Sequence, residues 1–158
     1  MKISHNNFLK LSFDLAKINL GKTNSNPSVG CVVVKNGVVI SSGYTSLNGR
    51  PHAEHNALNK KIDFKNADIY VTMEPCTHYG KTPPCINLIL KKKIKRVFFS
   101  SYDADERTSK KIFSKLSHKK IKIFKKEIKE FKNFYKRYFI NKYNKITHLD
   151  EKIAISKD

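Results

Sequence analysis

Apolar and polar positions alternate along the chain in segments of changing period, and each change of period marks an element. Phe8, Leu11, Phe13, Leu15, Ile18 and Leu20 mark the apolar face of a first helix predicted over residues 5–20. Gly21 ends it, and the turn formers of KTNSNP make a loop. Val29–Val34 and Val38–Ser42 are β-branched runs joined by Lys35-Asn36-Gly37, and Asn-Gly accepts the positive φ of a tight hairpin turn. The loop GYTSLNGRP leads to a helix starting near His52. Ala67–Thr72 is apolar enough for a central strand, and Pro83 and Pro84 precede a helix at Cys85–Lys92, where a missing N–H is harmless. A strand at Arg96–Ser100, a helix at Thr108–Leu116, a strand at Lys120–Phe124 and a long helix from Glu127 to about Tyr138 complete the pattern. Strands alternating with helices predict an α/β layered domain.

The chemistry is concentrated between His52 and Cys85, which read PHAEHNAL and, further on, VTMEPCTHYGKTPPC. Singly, a cysteine there is a small buried hydrophobe and a histidine at a helix start is a cap or a surface residue. Together, His52, Cys76 and Cys85 supply one imidazole and two thiols, each cysteine preceded by proline. Three such ligands and an open position describe a catalytic zinc site, whose metal lowers the pKa of its bound water to about 7. Glu54, two residues after His52, is then free to move protons between that water and a leaving group. A closed structural site is the alternative. It would take His78 as fourth ligand and would leave Glu54 without a role.

His-x-Glu followed by Pro-Cys is the signature of zinc-dependent nucleobase deaminases. Their second cysteine usually follows after two residues, whereas eight, THYGKTPP, separate Cys76 from Cys85 here. The strings EPCTHYGKTPPC and NPSVGCVVVKNG closely resemble the deaminase domain of the bacterial riboflavin-biosynthesis deaminase/reductase, within the cytidine/deoxycytidylate deaminase superfamily. The resemblance runs from about residue 8 to about residue 140. It implies a three-layer α/β/α fold with a five-stranded mixed sheet, zinc-ligand segments at helix N-termini, and Zn²⁺ as cofactor. It also implies hydrolytic deamination of 2,5-diamino-6-ribosylamino-4(3H)-pyrimidinone 5′-phosphate. Helix N-termini favour thiolate over thiol and hold a carboxylate ionised.

Carried over residue by residue, the resemblance assigns substrate contacts to Asn26, the backbone at Ala53, His78, Lys81 and Asp103, with Lys81 as phosphate anchor. The chain departs from the family where Thr45 stands in place of a usual histidine. In DADERTSKK it replaces the usual DPNP loop, with Asp103 matching and Asp105 in place of asparagine. Arg50 and Arg107 are candidate substitutes as phosphate partners. Two other functional classes stay open: a zinc deaminase of another amino-purine or amino-pyrimidine, free or in RNA, and a non-catalytic zinc domain that binds nucleic acid.

Length and composition narrow these readings. At 158 residues with 39% hydrophobic and 11% aromatic content, the chain fits one globular domain. The predicted division is a deaminase domain over 1–142 and a tail over 143–158, whose LDEKIA resembles the LDGKIA opening of a reductase domain. A free deaminase with a residual junction and a truncated bifunctional protein are both compatible with that tail. The net charge of +19 comes mostly from lysine spread along the chain, which reads first as solvated surface. With no glycine-rich phosphate loop or RNA-recognition motif, no nucleic-acid partner is expected. No run of about 18 apolar residues is present, so no membrane partner is expected either. Three cysteines and no secretory signal predict reduced thiols and a cytoplasmic location. An assembly of identical chains and a separate reductase are the expected protein partners.

Overall fold

The computed structural model describes residues 4–144. Five strands form one mixed sheet in the order β2-β1-β3-β4-β5. They are β1 Gly30–Lys35, β2 Val38–Tyr44, β3 Asp68–Met73, β4 Arg96–Ser101 and β5 Lys122–Lys125. β1 runs antiparallel to both β2 and β3, whereas β3, β4 and β5 are mutually parallel. Among the described residues the α-helices are α1 His5–Lys17, α2 Ala53–Leu58, α3 Cys85–Lys91, α4 Ile112–Leu116 and α5 Lys136–Asn144. The predicted hairpin forms, with Asn36 at φ 53° and Gly37 at φ 80° in its turn. β3 is buried at every position, as a strand covered on both faces must be.

Glycines let the helices approach the sheet and identify the layers. A Cβ on Gly30 would lie 1.7 Å from the Ser12 carbonyl oxygen of α1, and one on Gly43 would lie 2.6 Å from the Ala53 carbonyl oxygen of α2. Gly43 pairs with Cys31, so Gly30, the next residue along β1, faces the opposite side. α1 and α2 therefore cover opposite faces of the sheet, giving the expected three-layer α/β/α arrangement. The C-terminal segment joins the α1 side, where Phe131 stacks on Phe13 at 4.2 Å between ring centroids.

Three element predictions need correction. The first helix stops at Lys17, and its buried face is Leu9, Ser12, Phe13 and Ala16; Leu11, Ile18 and Leu20 are exposed. The face is selected by small residues that admit the β1 backbone, and the Ser12 hydroxyl is satisfied by donating to the Leu9 carbonyl at 2.6 Å. The helix predicted from Thr108 begins only at Ile112, because the Lys110 and Ile112 amides donate to the buried Glu74 carboxylate at 2.9 and 3.1 Å. The long final helix is divided into a 3₁₀ turn at Lys129–Phe131 and α5. Residues 128–136 make bonds three residues back, such as Phe134 N–H to the Phe131 carbonyl at 3.0 Å. This tighter winding brings Phe131, Phe134 and Tyr135 together around Phe13.

Among the described residues no helix is long and apolar enough to cross a membrane. The predicted junction motif LDEKIA lies outside the described residues.

Candidate metal centre and its cavity

The sheet order gathers four chain segments at one end. β3 and β4 are parallel, so the loops after Met73 and Ser101 leave on the same side. Gly30 pairs with Tyr44 in the antiparallel hairpin, so the start of β1 and the end of β2 lie at that side as well. Asn26, Thr45, Cys76 and Asp103 are thus neighbours through topology, at the carboxyl ends of parallel strands where α/β sheets place ligands.

His52 is the N-cap residue of α2, with its carbonyl accepting the Asn56 N–H at 3.1 Å, and Cys85 opens α3. Cys76 lies in the loop after β3, where its sulfur accepts the Cys85 backbone N–H at 3.2 Å. The Nδ1 of His52 is 3.8 Å from the Cys76 sulfur and 3.5 Å from the Cys85 sulfur, and all three donor atoms lie within 4.8 Å of one another. Bonds of about 2.0 Å to nitrogen and about 2.3 Å to sulfur, set tetrahedrally, require donor separations of about 3.5–3.8 Å. The residues present therefore fit zinc.

Electrostatics agree with that donor set. The Cys76 thiol is pulled down to about 4, chiefly by a hydrogen bond from the Cys85 thiol, while the same bond and burial raise Cys85. Its hydrogen bond with Cys76 raises His52. The pair favours negative charge on sulfur, and a cation bound there would favour both as thiolates. Glu54, on the first turn of α2, is 4% exposed. Burial pushes its carboxyl up to about 7, with Cys76 adding to the rise.

A cavity of about 170 Å³ opens over this cluster, and His52, Glu54 and Cys76 line it together with Asn26, Thr45, Arg50, His78, Asp103, Asp105 and Arg107. Of the predicted substrate contacts, Asn26, His78 and Asp103 are brought to the cavity. Ala53 is buried at the start of α2, and Lys81 is exposed on the cysteine loop and is not part of the lining. Asn26 donates to the Gly49 carbonyl at 3.0 Å. His78 Nδ1 meets the Thr108 hydroxyl at 2.8 Å. Burial raises the Asp103 carboxyl, which accepts the Tyr138 hydroxyl at 2.9 Å and the Asp105 N–H at 3.0 Å. Thr45 is buried, and its hydroxyl oxygen accepts the Val29 N–H at 2.9 Å.

Two positioning residues escaped the sequence reading. Glu74 anchors the loop that carries Thr108. Tyr135 donates to the Ser28 carbonyl at 2.9 Å and its hydroxyl lies 2.5 Å from that of Thr72, which ties the C-terminal segment to the Asn26 loop. The glutamate next to Pro75-Cys76 was a signal for the first; nothing local distinguished Tyr135 from the aromatics around it.

Comparisons with known proteins place this site in a family. Residues 2–101 match the family described as the cytidine and deoxycytidylate deaminase zinc-binding region. The chain is 50% identical over 97 residues to riboflavin biosynthesis protein RibD of Actinobacillus pleuropneumoniae, covering 61% of this chain and 26% of that protein. It is 38% identical over 136 residues to a diaminohydroxyphosphoribosylamino-pyrimidine deaminase of Buchnera aphidicola subsp. Schizaphis graminum, covering 82% of this chain and 92% of that one. The crystal structure of a Thermotoga maritima diaminohydroxyphosphoribosylaminopyrimidine deaminase/5-amino-6-(5-phosphoribosylamino)uracil reductase aligns with a TM-score of 0.78 at 35% identity, over 88% of this chain and 41% of that one. The chain thus spans about a quarter of the length of the Actinobacillus relative and nearly all of the Buchnera one. Since the matched residues include both helix starts and the loop that bring the three donor atoms together, this chain belongs to the cytidine and deoxycytidylate deaminase zinc-binding family.

Proposed function

We propose that this chain deaminates 2,5-diamino-6-ribosylamino-4(3H)-pyrimidinone 5′-phosphate to 5-amino-6-(5-phosphoribosylamino)uracil and ammonia. The observation that carries the reading is a buried Glu54 beside the His52–Cys76–Cys85 cluster, facing the cavity that Asn26, His78 and Asp103 also line. His52 Nδ1 and the sulfurs of Cys76 and Cys85 would hold zinc, which when bound supplies an activated water at neutral pH. Glu54 takes a proton from the attacking water and returns it to the departing amine. The bond from the ring carbon to its exocyclic amino nitrogen is exchanged for C–O, and ammonia leaves. A carboxyl held near 7 both accepts and gives a proton at neutral pH.

Within this reading Asn26, the Ala53 backbone, His78 and Asp103 contact the base and ribose, and Lys81 adds positive charge at the rim. Residues 1–142 make up the deaminase unit. The chain works in the cytoplasm as an assembly of identical chains, and a separate reductase consumes its product. Support for that last step is the Thermotoga protein's name, which joins deaminase and reductase.

The test is ammonia release by zinc-loaded protein over a panel of amino-pyrimidine and amino-purine nucleosides and nucleotides. The phosphorylated diaminopyrimidine is expected to give the highest kcat/KM. Turnover of cytidine, dCMP or adenosine in RNA, with none of the diaminopyrimidine, overturns the reading.

A further inference from the structure

Arg50, Arg107 and Lys142 line the cavity, and the partners of each determine which is available to a ligand. Arg107 is committed: its Nε and Nη2 donate to the two oxygens of Asp105 at 2.9 and 2.6 Å. Lys142 reaches the same carboxylate at 3.4 Å. Asp105 thus offsets charge on that wall. Arg50, which also lines the cavity, has no acidic partner among the described residues. Its Nη1 donates to the Thr82 hydroxyl at 2.6 Å, which fixes the guanidinium against the loop without neutralising it.

The other terminal nitrogen of that guanidinium has company. A Cβ built on Gly80 would lie 3.7 Å from Arg50 Nη2 and 3.7 Å from His78 Nε2, so both nitrogens turn toward the same open side of Gly80. Thr108 Oγ1 accepts the Thr77 N–H at 3.4 Å and has His78 Nδ1 beside it at 2.8 Å. His78 Nε2, the ring nitrogen that Thr108 does not hold, faces the same opening as the guanidinium. A planar, permanently charged fork beside an imidazole nitrogen suits a phosphate group, because charge-assisted bonds from a preoriented guanidinium lose little freedom on forming.

We propose that Arg50 binds the 5′-phosphate of the substrate, its guanidinium anchored by Thr82 and directed with His78 Nε2 at the rim of the cavity. The proposal rests on the reading that the substrate is phosphorylated. It makes Arg50 a specificity-determining residue, and Thr82 the residue that positions it. In this assignment the ribose phosphate of a base seated at Glu54 runs along the cysteine loop, whose Thr82, Gly80 and His78 lie beside Arg50. Lys81, exposed on that loop, contributes longer-range attraction only.

The experiment compares kcat/KM for the phosphorylated substrate and for its dephosphorylated riboside, using the zinc-loaded full chain. Their ratio is unaffected by any inactive fraction, so partial misfolding of a variant leaves the readout intact. Arg50→Met is expected to lower the ratio about 10- to 100-fold, the worth of a charged hydrogen bond. Arg50→Lys recovers part of it, and Thr82→Val lowers it by a smaller factor. The inhibition constant of inorganic phosphate rises in the same order. A ratio unchanged in Arg50→Met, with wild-type preference for the phosphorylated compound intact, overturns this assignment alone. A wild-type ratio near one overturns the phosphorylated substrate itself, and the assignment with it.

Discussion

Glu54 is the residue on which the chemistry turns, because it is buried beside two sulfurs yet is not one of the three converging donors. Glu54→Gln keeps its size and leaves His52, Cys76 and Cys85 in place. Zinc content measured by elemental analysis is therefore expected to stay near one per chain while kcat falls by about 10²- to 10⁴-fold, the usual worth of an acid/base group. Loss of the metal in that variant would make Glu54 a ligand instead. The donor set was legible residue by residue, since an imidazole and two thiols at those spacings have few other uses. Charge and motif position suggest Lys81 as the phosphate anchor, and the folded loop places it exposed outside the cavity lining, with Arg50 within it.

Elements are placed here by close backbone approach as much as by apolar stripes. Gly30 on β1 faces α1 so closely that an added methyl meets the Ser12 carbonyl and, at 2.9 Å, the Ala16 amide. Because both blockers are backbone, relaxation requires the helix itself to move. Gly30→Ala is expected to destabilise the fold by at least the roughly 1–3 kcal/mol typical of overpacking, seen as a lower urea midpoint with an unchanged slope. An unshifted midpoint would mean that α1 sits further from the sheet. The hairpin and the central strand were readable because Asn-Gly and the apolar run Ile69-Tyr70-Val71 act locally. The start of α4 was not, since its amides are claimed by Glu74, 38 residues from Ile112 along the chain. The final helix was likewise divided by partners on α1 and β3 that its own periodicity does not reveal.

Across the whole molecule the net charge of +19 is a force on the fold as well as a possible attraction for anions. The edge strand β5 has lysine at both ends, which discourages pairing with another sheet edge. Self-repulsion at this charge outweighs the exposed ion pairs such as Lys17–Asp14, each worth little. The melting temperature is accordingly expected to rise as sodium chloride shortens the screening length from about 30 Å at 0.01 M to about 8 Å at 0.15 M. A falling melting temperature over that range would show that attractive pairs dominate. By itself the sequence determined the α/β class, the hairpin and the His52, Cys76 and Cys85 donor set, because each depends on residue type and short spacing. Which helix face is buried, where the last helices begin and which cationic side chains line the cavity were decided by the tertiary structure. Those outcomes depend on backbone approach and on hydrogen-bond partners far apart in the chain, and no local pattern encodes them.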